Sequence, residues 1–251
     1  MEKEPENNTT LLGLIGRNIS YSFSAGYFAS KFKKLNLTNH EHRNFDLASI
    51  DELQQVLKNN SHLRGFNVTI PYKEEIIPLL DEIHPEALKI GAVNTVKIEN
   101  TKLIGYNTDC YGFETSLKPG LQPWHKKALI LGTGGASKAI AHVLDKNDIK
   151  YSFVSRNSKK ATFTYQELNK NIISAHQLII NCTPLGTYPD IEKKPDIPYT
   201  ALTNRHLLYD LIYNPSETAF LTKGKNAGAT IINGLKMLEL QAEKAWEIWN
   251  N

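Results

Sequence analysis

The apolar run Ala128 to Leu131 leads straight into Gly132-Thr133-Gly134-Gly135-Ala136-Ser137, after which Ile140, Val143 and Leu144 recur at helical spacing. A strand-to-helix turn without bulky side chains lets backbone N–H groups approach a pyrophosphate, and the helix start adds favourable partial charge. Ser137 stands where a third, packing glycine is usual. The spacing therefore points to a dinucleotide site. An NAD site expects an acid about 20 residues further on, holding the ribose hydroxyls. Here the second strand, Tyr151 to Val154, ends in Ser155-Arg156-Asn157, with no acid and Arg156 at the tip. A guanidinium is a planar donor fork suited to a dianionic 2′-phosphate, so NADP is the expected cofactor.

In the first half of the chain four polar stretches adjoin strands: Ser20 to Ser24, Asn67 to Lys73, Gly91 to Thr95 and Gly105 to Asp109. Each alone has a structural explanation, since Ser24 or Asp109 would cap a helix and Asn94 would end a strand. Together they place hydroxyls, amides, one amine and one carboxylate at strand ends. That set suits a small ligand carrying several hydroxyls and a carboxylate. The two cysteines, Cys110 and Cys182, form no disulfide framework, and no metal-ligand spacing is present. His62, His84 and His142 sit in no acid–base or metal arrangement. No metal is expected, and the cysteine usage favours a reducing compartment, the cytoplasm.

These residues need elements to hold them. Leu11 to Ile15 reads as a buried strand, Ser24 to Leu37 as a helix with Phe28, Phe32 and Leu35 on one face, and Gly65 to Ile70 as a strand. Pro71 suits the first turn of a helix that would carry Lys73, with Glu74 and Glu75 at its positive end. Val93 to Ile98 and Lys102 to Tyr106 read as a hairpin around Glu99-Asn100-Thr101. Beyond Asn107, short apolar runs at 128–131, 151–154, 178–180, 207–212 and 230–232 alternate with helical material, which implies parallel sheet covered on both faces. Leu235 to Trp249 reads as an amphipathic helix with Leu235, Leu238, Ala242, Ala245 and Trp249 along one side. On another side, Gly234, Met237 and Gln241 share a face. Breakers between residues 107 and 126 mark a domain boundary. Lys plus Arg number 29 against 26 Asp plus Glu, a net +3 over 251 residues, too small to argue for a nucleic-acid or membrane surface. No apolar run reaches membrane-spanning length, and Met1 to Thr10 lacks the basic-then-apolar order of a signal peptide.

The order of motifs resembles the shikimate dehydrogenase family along almost the whole chain. NVTxPxK appears as Asn67 to Lys73, GAxNT as Gly91 to Thr95 and GxNTD as Gly105 to Asp109. The glycine turn, a serine-arginine form of the family's NR[TS] element and NxTPLG (Asn181 to Gly186) follow. DxxYxPxxTxFL (Asp210 to Leu221) and NGxxMLxxQ (Asn233 to Gln241) complete the series. The resemblance implies an α/β chain of two domains. An N-terminal substrate domain, 1–107, would have the last helix, 235–251, packing back on it, and a Rossmann-like doubly wound dinucleotide-binding domain would cover 108–234. It implies reversible reduction of 3-dehydroshikimate to shikimate with NADPH by a monomer or homodimer. Ser22 and Ser24 would hold the substrate carboxylate, and Thr69, Asn94, Tyr213 and Gln241 its hydroxyl or carboxylate oxygens. Lys73 and Asp109 would form the catalytic pair. Gly132, Thr133, Gly134, Gly135 and Ala136 would take the pyrophosphate, Ser155 and Arg156 the 2′-phosphate end, and Thr183, Leu211 and Gly234 the remaining cofactor contacts. The family's first motif, GxPxxHSxSP, departs here to Gly16-Arg17-Asn18-Ile19-Ser20-Tyr21-Ser22-Phe23-Ser24-Ala25. Both serines survive, but the loss of two prolines implies a looser loop. A quinate/shikimate dehydrogenase and a catalytically silent shikimate-binding sensor of the same fold stay open as alternatives.

Overall fold

The computed structural model describes residues 9–19 and 22–251, so Ser20 and Tyr21 of the first polar stretch lie outside the described residues. The chain divides into two compact units: residues up to Thr108 together with Ala245–Asn251 form one, and Asp109–Lys244 form the other.

In the first unit the elements are β1 (Thr10–Gly16), α1 (Phe23–Lys34), β2 (His40–Asp46), α2 (Leu53–Asn59), β3 (Leu63–Val68), β4 (Glu82–Ile83), α3 (Pro85–Ile90), β5 (Thr95–Glu99) and β6 (Lys102–Tyr106). They form a six-stranded sheet in the order β2-β1-β3-β5-β6-β4. β2, β1 and β3 run parallel, while β5 is antiparallel to both β3 and β6. The expected hairpin turns at Asn100 and Thr101, whose φ values of 50° and 67° match the twist of the flanking strands. β1 is buried along nearly its whole length, which is why its apolar run reads plainly. β2 was not expected, because its sequence HEHRNFD is polar and it lies at the sheet edge. One of its faces is covered through His42, stacked on Phe28 at 4.9 Å, and the opposite face packs Phe45 against the core of Leu11, Phe66 and Val96.

The helix expected after Pro71 does not form. Residues 71–76 are a series of turns, followed by a short 3₁₀ segment at Ile77–Leu79. A helix would need the Lys73 carbonyl to accept from Ile77 N–H. Instead it accepts from Val93 N at 2.7 Å, and Ile77 N–H turns to Glu74. A long-range backbone bond displaces the local one.

The second unit runs α4 (Asp109–Leu117), β7 (Lys127–Leu131), α5 (Gly135–Lys146), β8 (Lys150–Val154), α6 (Lys170–Ala175), β9 (Leu178–Asn181), β10 (Leu207–Asp210), α7 (Ala219–Asn226), β11 (Thr230–Ile232) and α8 (Leu235–Asn250), of which the residues from Ala245 belong to the first unit. Five strands in the order β11-β10-β9-β7-β8 are all parallel. From β7 the chain winds one way to β8 and the other way from β9 outward, the doubly wound Rossmann-like pattern. Ligands in such sheets sit at the carboxyl ends of the strands where the winding reverses, here β7 and β9. One sheet face packs Leu129, Leu131, Ile179 and Leu208 against Ile173, Phe220 and Leu221.

The buried stripe of α8 differs from the expected one. Leu235 is exposed, and Met237, Gln241, Ala245 and Trp249 are buried at four-residue spacing, joined by Ala242. In the first unit Trp249 lies against Phe28, ring centroids 5.6 Å apart, and donates from Nε1 to the Val96 carbonyl at 2.9 Å. Gly65 leaves the room that its indole fills. Trp249→Ala should therefore cost about 3–5 kcal/mol. Trp249→Phe should cost about 1–3 kcal/mol, because it keeps a ring but gives up the Nε1 bond to the Val96 carbonyl. Urea unfolding checks both, and an alanine cost below about 1 kcal/mol would separate the helix end from this core.

Candidate active site

The first unit gathers its polar residues where β1 and β3 end and β5 begins. Thr69 N–H donates to the Ile15 carbonyl at 2.8 Å, Val68 N–H to the Asn94 carbonyl at 2.8 Å, and Asn94 N–H to Tyr106 at 3.0 Å. With the Val93–Lys73 bond, the backbone draws Thr69, Lys73 and Asn94 to one end of the sheet. A knot of buried side chains then fixes Asn94. Its Oδ1 accepts from Thr108 N–H at 2.7 Å and from the Thr95 hydroxyl at 3.1 Å, while its Nδ2 donates to Thr108 Oγ1 at 3.0 Å. Asn67 Nδ2 donates to Thr95 Oγ1 at 2.9 Å and to the Asn94 carbonyl at 3.1 Å. Asn67 Oδ1 is buried and has no partner among the described residues. Asn67 lay within a motif, but no sequence signal gave it a role.

The serine loop hangs on the end of β2. Asp46 Oδ1 and Oδ2 accept from Asn18 N–H at 2.8 Å and Ile19 N–H at 3.1 Å. Asn18, at a φ of 56°, adopts the left-handed conformation that asparagine tolerates better than most residues. The Ile19 carbonyl accepts from Ser22 N–H at 3.0 Å, and Ser22 Oγ caps α1 by accepting from Ser24 N–H at 3.2 Å. Ser22 is thus an N-cap, and Ser24 is buried in the first turn. Arg17 braces the same loop, donating to the Ala48 carbonyl at 2.6 Å and to the Tyr72 hydroxyl at 3.2 Å. Arg17 and Asp46 went unnoticed in the sequence, because neither acts through its own spacing.

In the second unit the glycine turn meets the end of β9. Gly132 has a φ of 104°, and a Cβ there would stand 3.1 Å from Thr183 Cγ2. Only glycine satisfies both conditions easily. At Gly134 a Cβ would project into open space, the room a pyrophosphate needs. No side chain caps the start of α5, and no acid lies in its first turn. Gly135 and Ala136 begin that helix, and Ser137 Oγ donates back to the Gly134 carbonyl at 2.7 Å. Arg156 is exposed at the end of β8, and Ser155 Oγ accepts from Asn157 N–H at 3.3 Å. Tyr165, also missed, has a buried hydroxyl without a partner among the described residues; burial pushes it up to about 12, and Arg156 acts against that rise. These features fit a bound phosphorylated dinucleotide.

Leu211 N–H donates to the Asn181 carbonyl at 3.1 Å, and Gly234 packs its Cα directly against the Leu211 carbonyl, so the structure brings these two residues together. Tyr213 is half-buried two positions beyond Leu211. Asp109, buried, opens α4, where its charge suits the helix start. One turn later Gly112 lets α8 approach, a Cβ there meeting the Met237 carbonyl at 2.5 Å and Gln241 Cβ at 3.2 Å. Asp109 and Gln241 are therefore carried on touching helices. At Cys182, beside Thr183, burial pushes the thiol up and disfavours the thiolate. Among the described residues no group of three His, Cys, Asp or Glu side chains is placed to hold a metal ion, and no helix is long and apolar enough to cross a membrane.

A doubly wound parallel sheet with an uncapped glycine turn at its switch point defines a dinucleotide-binding α/β protein. The chain belongs to the shikimate dehydrogenase family. Residues 14–96 match the family described as the shikimate dehydrogenase substrate binding domain. A shikimate dehydrogenase (NADP(+)) of Methanococcus vannielii is 38% identical over 265 residues, covering 97% of this chain and 92% of that protein. A crystal structure of a shikimate dehydrogenase in complex with NADP+ superposes with a TM-score of 0.85 at 35% identity, over 98% of this chain and 91% of that one. A shikimate 5-dehydrogenase of Thermus thermophilus, in complex with NADP(H) and shikimate, gives 0.85 at 30% identity over 96% and 93% of the two chains.

Asp210, at the end of β10, is fully buried and accepts from Asn181 Nδ2, Ile212 N–H and Thr218 Oγ1 at 3.0, 3.1 and 2.6 Å. Burial nonetheless raises its carboxyl from the ordinary 3.8 to about 6. The titratable neighbours that sense it, Tyr199 and Cys182, are themselves pushed up and stay neutral. A raised acid binds its proton more tightly folded than unfolded. Its contribution to stability is therefore full below the ordinary value and is lost as pH rises through about 6. Relative to Asp210→Asn, the wild type should lose stability between about pH 4 and about pH 7. Paired urea midpoints across that range test this, and a constant difference would contradict it.

Proposed function

We propose that this chain reduces 3-dehydroshikimate reversibly to shikimate with NADPH. Residues 108–234 would serve as the NADP domain, and residues 1–107, with the helix at 235–251, as the substrate domain. One observation carries the reading: a chain that belongs to this family over nearly its whole length keeps both Lys73 and Asp109, each beside a strand-end network that orients its segment. When bound, NADPH supplies a hydride to the C3 carbonyl carbon. Lys73 meets the negative charge that develops on the carbonyl oxygen and delivers a proton to it from Nζ, so that the product is the neutral alcohol. Asp109 forms the catalytic pair with Lys73 and takes part in returning a proton to Nζ.

Ser22 and Ser24 hold the substrate carboxylate. Thr69, Asn94, Tyr213 and Gln241 bind the remaining oxygens, and Asn67 Oδ1 accepts from a substrate hydroxyl. Gly132 to Ala136 seat the pyrophosphate on the start of α5. Arg156, beside Ser155, reads the 2′-phosphate. Thr183, Leu211 and Gly234 line the rest of the cofactor site. A cytoplasmic monomer or homodimer fits this reading. The absence of an acid between Val154 and Lys160 favours NADP over NAD.

NADPH oxidation with 3-dehydroshikimate, followed by the reverse reaction with shikimate and quinate and with NADP+ and NAD+, tests the proposal. Shikimate with NADP+ should exceed the other pairs at least about tenfold in kcat/KM, the size of one charge-assisted contact. Equal rates with quinate and NAD+ would favour a quinate/shikimate dehydrogenase, and shikimate binding without turnover a sensor. Lys73→Ala should lower kcat by about 10²–10⁴-fold and leave shikimate affinity within about tenfold. Equal losses of rate and binding would make Lys73 an anchor only.

A further inference from the structure

Asp210 is a buried acid for which the reaction has no use. Its three hydrogen-bond partners are all neutral, and no step of the chemistry above involves it. The geometry shows what the charge does. Thr183 donates to Asn181 Oδ1 twice, from its backbone N–H at 3.0 Å and from its hydroxyl at 2.6 Å. A backbone N–H can only donate, so that end of the Asn181 amide must be its oxygen. The other end faces Asp210 Oδ1 at 3.0 Å, and an ionised carboxylate can only accept. A flipped Asn181 would set oxygen against oxygen at Asp210 and NH₂ against N–H at Thr183. Thr183 N–H on one side and the carboxylate on the other, with the Leu185 carbonyl at 3.4 Å behind it, hold one amide orientation.

Asp210 is itself held from behind. Ile212 N–H bonds the same oxygen, and Thr218, which caps α7 by accepting from Leu221 N–H at 3.3 Å, donates to the other. Asn181, Asp210 and Thr218 are all completely buried. The chain of bonds ends on the cofactor side, because Thr183 Cγ2 lies against Gly132 and the Asn181 carbonyl fixes Leu211 N–H.

We propose that Asp210 is a positioning residue for the dinucleotide, acting through Asn181 to hold Thr183 against the glycine turn. This rests on the NADP reading above. The cost of keeping a carboxylate in a dry site is the counterpart of that orientation.

The test uses the full chain with NADPH and shikimate as probes. Asp210→Ala and Asn181→Ala should each weaken NADPH binding by about tenfold, the effect of leaving one buried partner unanswered, while the KM for shikimate stays within about threefold. Asp210→Asn, which keeps an acceptor for Asn181 and can donate to Thr218, should recover most of the loss. The double alanine variant should be no worse than the weaker single one, since the two act in series. Amide hydrogen exchange of the cofactor-free protein supplies an independent readout: Thr183 N–H should exchange faster in Asp210→Ala, with β9 amides unchanged. NADPH affinity at the wild-type level in a folded alanine variant, equal losses of both ligands, or unchanged exchange at Thr183 would overturn the proposal. If Asp210→Ala does not fold, Asn181→Ala decides the same points. A wild type that fails to bind NADPH would instead overturn the cofactor reading, with the exchange result still deciding whether Asp210 holds Thr183.

Discussion

A carboxamide taken out of water costs free energy unless both its oxygen and its nitrogen are answered, and two groups that are so answered set the geometry on which the site depends. Where parallel strands stop, the backbone runs out of ladder partners. In the first unit Asn94 fills that gap, tied to Thr95 and Thr108 by its own side chain and to Val68 and Tyr106 through its backbone. In the second unit Asn181 does the same between Thr183 and Asp210. Neither amide can turn without breaking bonds that nothing in a dry interior would replace. The groups proposed to react and bind sit next to these fixed points: Thr69 and Lys73 by backbone bonds in one unit, Thr183 and Leu211 in the other.

What the sequence made legible was whatever is decided locally. The strands β1, β7, β9 and β10 are buried on both faces, so their apolar runs need no context. The glycine turn was legible because a strand before it and a helix after it constrain the same few residues. β2 was not, since its place beside β1 depends on a partner some thirty positions away, and its buried face is made by a histidine stacked on a phenylalanine. The helix expected after Pro71 failed for a similar reason: the carbonyl that would have closed it bonds Val93. On α8, Leu235 satisfied the apolar pattern yet faces solvent, and the smaller Ala242 and Ala245 are buried. Size complementarity with a neighbour is invisible in one chain.

The candidate site shows the same division. Residues inside dense motifs were found by resemblance, whereas those that hold the motifs in place were not. Arg17 and Asp46 belong to no spacing rule, yet they clamp the loop that departs from its family's pattern. There Asn18 occupies a left-handed turn where the family has proline, and Asp46 takes both neighbouring N–H groups. Hydrogen bonds from the adjacent strand do part of what ring constraint does elsewhere.

The division of α8 also bears on how the molecule is made. Trp246 and Trp249 pack against Phe32 and Phe28, residues more than two hundred positions earlier. On the ribosome, the second unit emerges whole while the first still lacks these two indoles. The aromatic face of α1 therefore stays uncovered until Trp246 and Trp249, more than two hundred positions later, can pack on it. Until then an apolar surface that the folded unit buries is open to other chains, the kind of exposure from which misassembly starts.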